Sequence, residues 1–172
     1  MELLEKTKKI TTVILDVDGV LTDGSIGYCG SEEIKFFNAA DGYAIKVAMR
    51  TGLQIGILSG RKSKANETRF AELGIEMICQ GEKIKLDALK KMSEQYNFTY
   101  DQCLYVGDDI VDIPVMNNVL IGATVADAAE QVLQRAGYIA KKSGGKGAVR
   151  EILEWLMKAK GTWSKQMQRY GI

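Results

Sequence analysis

Short apolar runs alternate with helix-like stretches along most of this 172-residue chain, and this alternation constrains the fold more than any other feature. The apolar runs end in polar or glycine-rich turns and lie at residues 10–15, 54–58, 77–79, 103–106, 119–122 and 137–140. The helix-like stretches lie at residues 42–50, 63–73, 84–96, 110–116, 126–135 and 148–159. We therefore predict an α/β fold with a Rossmann-like, mainly parallel sheet and helices on both of its faces.

One segment, residues 24–37, departs from the alternation. Ile26 and Tyr28 alternate with small residues, and Ile34 and Phe36 repeat the pattern after a Cys-Gly-Ser turn. This predicts a β-hairpin inserted after the first strand. A plain surface hairpin is the alternative, although it would have little need for so many large apolar side chains. No internal repeat or linker divides the chain, so we expect a single domain over residues 1–172, without a cap domain.

The composition excludes several kinds of chemistry. The sequence contains no histidine, which removes serine–histidine catalysis, cysteine–histidine catalysis and histidine-ligated zinc. Cys29, Cys79 and Cys103 are far apart, a pattern typical of reduced thiols. The net charge of +1 and the absence of a long apolar run or secretory signal favour a cytoplasmic protein without nucleic-acid or membrane partners.

Two clusters of aspartates follow predicted strands. Asp16 and Asp18 come directly after the first strand, and residues 107–112 follow another strand with three more aspartates: Asp108, Asp109 and Asp112. A polar turn or the capping of a helix could account for part of either cluster. Neither explains why two apolar strands both end in grouped carboxylates. Oxygen ligands from two strand ends are what Mg²⁺ requires, so we predict a magnesium site at this edge of the sheet.

Two further features fit the binding of a phosphate group beside these carboxylates. The strand at residues 54–58 is followed by Ser59, Gly60 and Arg61, and a hydroxyl beside a helix N-terminus can bind phosphate oxygens. Lys85 opens a predicted helix after the next strand. A lysine in such a place is usually a solvated charge, so its interpretation depends on the rest of the pattern.

The order and spacing of these residues resemble the haloacid dehalogenase superfamily. The segment DVDGVLTD beginning at Asp16 is similar to its first motif, Ser59 to the second, Lys85 to the third and the segment 107–112 to the fourth. Within the superfamily, roughly residues 10–155 resemble the small, capless 3-deoxy-D-manno-octulosonate 8-phosphate phosphatases. The chain departs from that pattern at Ser59, where threonine is commoner, and at residues 38–40.

The resemblance implies a role for each residue. Asp16 would be the nucleophile that becomes an aspartyl phosphate, and Asp18 the general acid and base. Mg²⁺ would be bound by Asp16, the Asp18 carbonyl and Asp108, with Asp109 and Asp112 supporting the metal site. The residues implied in phosphate or substrate binding are Thr22, Asp23, Gly24, Ser59, Gly60, Arg61 and Lys85.

The resemblance also implies hydrolysis of a sugar-acid phosphate in lipopolysaccharide sugar synthesis, and it implies a homo-oligomer, which we expect to be a tetramer. Phosphatases of nine-carbon keto-deoxy sugar acids are an alternative. A receiver-like phosphorylated switch is a further alternative from another class, although its phosphoacceptor would not lie on the first strand. The basic tail, residues 161–172, is interpreted either as a frayed terminus or as a cover for a neighbouring subunit's site.

Overall fold

A computed structural model describes residues 2–172 of the protein. Six parallel strands form one sheet in the order β5-β4-β1-β6-β7-β8, and β2 and β3 form a separate antiparallel hairpin. This confirms the predicted α/β fold. The strands are β1 (Thr12–Leu15), β2 (Gly27–Cys29), β3 (Glu32–Ile34), β4 (Gln54–Ser59), β5 (Met77–Gln80), β6 (Cys103–Val106), β7 (Ile121–Thr124) and β8 (Tyr138–Ile139).

Across residues 2–172, eight α-helices surround the sheet and the loops that connect its strands. They are α1 (Leu3–Lys9), α2 (Ala39–Arg50), α3 (Lys64–Leu73), α4 (Lys85–Tyr96), α5 (Ile113–Met116), α6 (Glu130–Leu133), α7 (Ala148–Ala159) and α8 (Trp163–Gln168). Two 3₁₀ turns, Tyr100–Gln102 and Ile110–Asp112, lie before and after β6.

The central strands are apolar because the sheet is covered on both faces. Every residue of β1, β6 and β7 is buried. The sequences of parallel strands buried on both faces are continuous apolar runs, which is why the apolar pattern predicted these strands. Helices α2 and α7 pack against each other on one side, with Ile152, Leu153 and Leu156 of α7 fully buried.

The element boundaries differ from the predicted ones where side chains contribute to the helix ends. Helix α2 begins at Ala39, before the predicted residue 42, because the Asn38 side chain accepts a hydrogen bond from the Ala40 N–H at 2.8 Å. The predicted helix over 110–116 is divided into a 3₁₀ turn and α5. The predicted helix over 126–135 is confined to α6, and β7 begins two residues later than expected.

The predicted hairpin is confirmed, with Gly27 opposite Ile34 in its register. It leaves large apolar side chains in solvent: Tyr28 is 67% exposed and Phe36 is 80% exposed. Phe37 instead packs edge-on against Phe70 of α3, with 6.2 Å between the ring centroids. The hairpin is therefore fixed to the domain at its base and presents an apolar surface beyond it.

In the tail, Trp163–Gln168 form helix α8. Trp163 packs against the core and lies 5.4 Å from the Lys158 Nζ. Tyr170 lies beside α2, where its hydroxyl accepts a hydrogen bond from Arg50 at 3.3 Å. Within this chain the tail rests on its own helix α2, and its closure over a neighbouring subunit stays a prediction.

Across residues 2–172, the structure contains no helix with both the length and the apolar character needed to cross a lipid bilayer.

Candidate active site

The carboxyl ends of three neighbouring strands meet at one cavity. Because β1 lies between β4 and β6, Asp16, Ser59 and Asp108 come together from distant parts of the sequence. The cavity has a volume of about 190 Å³ and is lined by Asp16, Asp18, Ser59, Gly60, Arg61, Lys85, Asp108, Asp109 and Val111. Residues of both predicted carboxylate clusters therefore line the cavity, together with the predicted phosphate-binding residues Ser59, Gly60, Arg61 and Lys85.

Lys85 and Asp16 form a buried ion pair at the floor of this cavity. The Lys85 Nζ lies 2.8 Å from Asp16 Oδ2 and 2.6 Å from Asp112 Oδ1, and the side chains of all three residues are at least nine-tenths buried. Burial would lower the pKa of Lys85, but the attraction of Asp16 and Asp112 outweighs it and raises the pKa. Lys85 is thus a fixed positive charge beside Asp16 and not a solvated surface lysine.

Asp112 holds this part of the site together. Its Oδ1 accepts hydrogen bonds from Lys85 and from the Tyr105 hydroxyl, the latter at 2.5 Å. Its Oδ2 accepts hydrogen bonds from the backbone N–H groups of Asp108 and Asp109 at 3.0 and 3.2 Å. With four donors already bound, Asp112 positions Lys85 and the loop that carries Asp108.

Burial also acts on the carboxylates themselves. Desolvation raises the pKa of Asp16 to about 6, although the nearby Lys85 ammonium opposes the rise. Desolvation and the repulsion of Asp16 and Asp112 raise the pKa of Asp108 to about 7. Clustered carboxylates of this kind are stabilised in their ionised form by a cation.

The residues present fit a divalent cation. Carboxylate oxygens of Asp16, Asp108 and Asp112 lie within 4.8 Å of one another. Asp108 Oδ1 is buried and, among residues 2–172, receives no hydrogen bond. Carboxylate oxygens are hard ligands that suit Mg²⁺. Since Asp112 is occupied by its four donors, Asp16 and Asp108 are the two side chains best suited to bind the ion.

Gly19 allows the first and fourth motifs to approach each other. Its φ of +86° lies in the left-handed region, and a Cβ at this position would collide with the Asp108 carboxylate. The turn after β1 can therefore lie directly against Asp108 only with glycine at this position.

The structure does not bring Thr22, Asp23 or Gly24 into the cavity. The buried Thr22 hydroxyl accepts hydrogen bonds from the N–H groups of Gly19 and Gly24, so it stabilises the turn after β1. Asp23 accepts a hydrogen bond from the Ser25 N–H and lies 3.4 Å from Lys146. These contacts stabilise the turn after β1, and a direct role of Thr22, Asp23 and Gly24 in substrate binding stays a prediction.

Three other predicted residues, Asp109, Arg61 and Ser59, lie at the site and already form hydrogen bonds or ion pairs within the protein. The Asp109 carboxylate accepts a hydrogen bond from the Ile110 N–H and caps the 3₁₀ turn that precedes α5. The Arg61 guanidinium is paired with Glu33 of the hairpin at 2.6 Å. Ser59 is buried, and its Oγ accepts a hydrogen bond from the Arg61 N–H at 3.2 Å.

Two residues of the site were not identified from the sequence. Tyr105 is buried within β6 and was indistinguishable from the other core positions of that strand. Lys35 lies in the hairpin segment directly after β3, and its Nζ is 2.5 Å from Asp18 Oδ1. The one signal for Lys35 was its charge between the apolar residues Ile34 and Phe36.

Comparison with known proteins agrees with this geometry. Residues 77–153 match a family model described as haloacid dehalogenase-like hydrolase. The 3-deoxy-D-manno-octulosonate 8-phosphate phosphatase KdsC of Escherichia coli K12 is 43% identical over 93% of this chain and 86% of its own length. Fold, site and family match define the class as haloacid dehalogenase-like hydrolases.

Two solved structures are similar over nearly the whole chain. A probable YrbI family phosphatase from Pseudomonas syringae has a TM-score of 0.95 and 39% identity, covering 99% of this chain and 97% of its own. The 3-deoxy-D-manno-octulosonate 8-phosphate phosphatase of Moraxella catarrhalis, in complex with a magnesium ion, a phosphate ion and KDO, has a TM-score of 0.94 and 34% identity, covering 97% of each chain. This chain belongs to the 3-deoxy-D-manno-octulosonate 8-phosphate phosphatase family.

We predict that the stability of the metal-free protein falls as the pH rises from about 5 to 8. Folding raises the pKa values of Asp16 and Asp108 to about 6 and 7 from the ordinary 3.8, so the folded state binds protons more tightly than the unfolded chain. This contribution to stability is complete below about pH 4 and is lost as the pH rises through the pKa values of Asp16 and Asp108 in the folded state.

Thermal unfolding in EDTA between pH 5 and 8 measures the effect. Asp108→Asn should reduce the loss of stability with rising pH because it removes one titrating group. Mg²⁺ should stabilise the wild-type protein more at pH 8 than at pH 5. Identical pH profiles for wild type and Asp108→Asn in EDTA would contradict the assignment.

Proposed function

We propose that this protein is a magnesium-dependent phosphomonoester hydrolase that acts on 3-deoxy-D-manno-octulosonate 8-phosphate through an aspartyl phosphate on Asp16. The observation that carries the proposal is the placement of Asp16 at a strand end, paired with Lys85 and beside Asp18 and Asp108 in one cavity. The Moraxella relative in complex with magnesium, phosphate and KDO supports the metal and the substrate class.

The first half of the reaction transfers the phosphoryl group to Asp16. A carboxylate oxygen of Asp16 attacks phosphorus while the bond from phosphorus to the sugar oxygen breaks. Asp18, in its protonated form, gives its proton to that oxygen, so the sugar leaves as a neutral alcohol. The products of this half are an acyl phosphate on Asp16 and an ionised Asp18.

The second half returns the enzyme to its starting state. Asp18 removes a proton from a water molecule as the water oxygen attacks phosphorus. The bond between phosphorus and the Asp16 oxygen breaks, which releases inorganic phosphate and regenerates the Asp16 carboxylate. With no histidine in the chain, Asp18 is the cavity residue suited to both proton transfers.

The other cavity residues bind the phosphoryl group and balance its charge. Mg²⁺, bound by Asp16, Asp108 and the main-chain carbonyl of Asp18, would offset the repulsion between the Asp16 carboxylate and the phosphate. Lys85 adds a fixed positive charge, and its two carboxylate partners keep its ammonium in place. Ser59 Oγ accepts a hydrogen bond from the backbone N–H of Arg61, so the hydroxyl hydrogen of Ser59 can be donated to a phosphate oxygen.

The proposed substrate places the protein in lipopolysaccharide sugar synthesis in the cytoplasm. Its carboxylate would be recognised by Arg61, whose guanidinium can bind both oxygens of a carboxylate. Because Arg61 is paired with Glu33 in this structure, the substrate carboxylate would compete with Glu33 for the guanidinium. Selectivity for the eight-carbon acid over nine-carbon acids would then depend on how far Arg61 lies from the bound phosphate.

We also propose that the protein acts as a homo-oligomer, most simply a tetramer. The apolar side chains of the hairpin support this, because Tyr28 and Phe36 are largely exposed beside an open site. Contacts between hairpins of neighbouring subunits would bury these side chains and reduce the exposure of the cavity to solvent.

Asp16→Asn and Asp16→Ala should each lower kcat on the sugar phosphate by about 10⁴-fold or more, since neither side chain can form the acyl phosphate. Circular dichroism should show a retained fold. Asp101→Asn is the matched control, because Asp101 is exposed and precedes β6 at the opposite end of that strand. Near-normal turnover by a folded Asp16→Ala protein would rule out the covalent mechanism.

The eight-carbon phosphate should have a higher kcat/KM than the nine-carbon phosphates. Arg61→Ala should lower kcat/KM for the eight-carbon sugar-acid phosphate by about 10–100-fold, the effect of losing a charge-assisted pair. It should have little effect on a sugar phosphate that lacks a carboxylate. A preference for a nine-carbon substrate would contradict the substrate assignment while leaving the hydrolase chemistry intact.

Light scattering should give a mass several times that of one 19.0 kDa chain. Phe36→Ser should weaken the assembly because it removes the most exposed aromatic side chain of the hairpin. Leu4→Ser is the matched control, since Leu4 is an exposed apolar residue of α1, away from the hairpin. A monomeric wild-type protein at assay concentration would refute the proposal.

A further inference from the structure

Lys35 is a buried lysine whose partner is a residue of the proposed mechanism. Its side chain is 0% exposed, although lysine is rarely buried without a partner. Its Nζ lies 2.5 Å from Asp18 Oδ1 and 3.3 Å from Glu33 Oε1. Removing an ammonium group from water is costly, so a lysine in this position must be stabilised by both carboxylates.

The contact belongs to a row of alternating charges that joins two loops of the site. Asp18 follows β1, Lys35 and Glu33 belong to the hairpin segment, and Arg61 follows β4. Glu33 contacts Lys35 through Oε1 and Arg61 through Oε2, the latter at 2.6 Å. Lys35 is therefore held from the hairpin side by Glu33, and its ammonium is directed at Asp18.

Asp18 needs such a partner to keep a defined orientation. Its side chain is 22% exposed, so conformations that point away from the cavity are open to it. Among the hydrogen bonds of residues 2–172, Lys35 provides the one side-chain donor to the Asp18 carboxylate. That bond occupies Oδ1, which leaves Oδ2 for proton exchange with the leaving oxygen and then with water.

We propose that Lys35 is a positioning residue that holds the Asp18 carboxylate in the orientation required for proton transfer. The inference rests on the proposed function, in which Asp18 is the general acid and base. Lys35 keeps its own proton throughout and does not contact the phosphoryl group. Its positive charge also stabilises the Asp18 carboxylate that forms when the leaving oxygen is protonated.

Two substrates with different leaving groups distinguish this positioning role from a purely structural one. A sugar alkoxide is a poor leaving group and depends on protonation by Asp18, whereas nitrophenolate departs as a stable anion. The parameter kcat/KM reports steps up to the departure of the leaving group, so it excludes the later attack of water. A defect in positioning Asp18 must therefore reduce kcat/KM for the sugar phosphate selectively.

Lys35→Met tests the inference because methionine keeps an unbranched side chain of similar length but lacks the charge. We expect kcat/KM for 3-deoxy-D-manno-octulosonate 8-phosphate to fall about 100-fold, in the range typical of general acid catalysis. For 4-nitrophenyl phosphate the fall should be less than about threefold, since that reaction needs no general acid. Lys35→Arg, which retains a cation with different geometry, should recover part of the loss on the sugar phosphate.

Lys64→Met is the matched control. Lys64 of α3 pairs with Glu32 of the hairpin at 3.6 Å, and both side chains are exposed. This variant removes another ion pair between the hairpin and the domain without touching Asp18. It should change neither substrate's kcat/KM by more than about twofold, as expected of an exposed ion pair.

The double variant Asp18→Asn/Lys35→Met separates this inference from the proposed function. If Lys35 acts through Asp18, adding Lys35→Met to Asp18→Asn should cause no further loss on the sugar phosphate. Equal losses on both substrates in Lys35→Met, or a full further loss in the double variant, would overturn the role of Lys35. Retained activity of Asp18→Asn on the sugar phosphate would instead refute the proposed function. If Lys35→Met does not fold, the same comparison of substrates with Lys35→Arg decides the question.

Discussion

The buried ion pair between Lys85 and Asp16, extended to Asp112, is the interaction on which the rest of the site depends. An isolated carboxylate at the position of Asp16 would be costly to ionise, as the rise in the pKa of Asp16 to about 6 indicates. Lys85 offsets part of this cost, and Asp112 fixes Lys85 in place at 2.6 Å. Asp112 also accepts hydrogen bonds from the backbone N–H groups of Asp108 and Asp109. One carboxylate therefore fixes both Lys85, the partner of Asp16, and the loop that carries Asp108.

The parallel sheet makes this arrangement possible. With β1 between β4 and β6, three loops reach the same edge of the sheet, while β1 and β6 are buried along their whole length. The hairpin adds a fourth segment by inserting Lys35 beside Asp18. The site therefore rests on rigid strand ends on one side and on a partly exposed apolar hairpin on the other.

The sequence predicted the parts of the site that follow directly from strand ends. Asp16, Ser59, Asp108 and Lys85 were identifiable because an apolar run precedes each of their loops. The contribution of Lys35 could not be predicted, since it depends on how the hairpin segment lies against the turn after β1. The turn contacts of Thr22 could not be predicted for a related reason, because its hydroxyl accepts hydrogen bonds within the turn and only the local backbone geometry reveals them.

The central claim is that Asp16 accepts the phosphoryl group. Rapid acid quenching of the enzyme during turnover of 3-deoxy-D-manno-octulosonate 8-phosphate, followed by peptide mass spectrometry, tests it directly. Asp18→Asn protein with 4-nitrophenyl phosphate is the complementary case, because nitrophenolate departs without a general acid, whereas hydrolysis of the acyl phosphate lacks its base and should be slow. The account predicts one added phosphoryl group on the peptide that contains Asp16. A phosphoryl group on another residue, or product release with no phosphorylated enzyme at any time point, would contradict it.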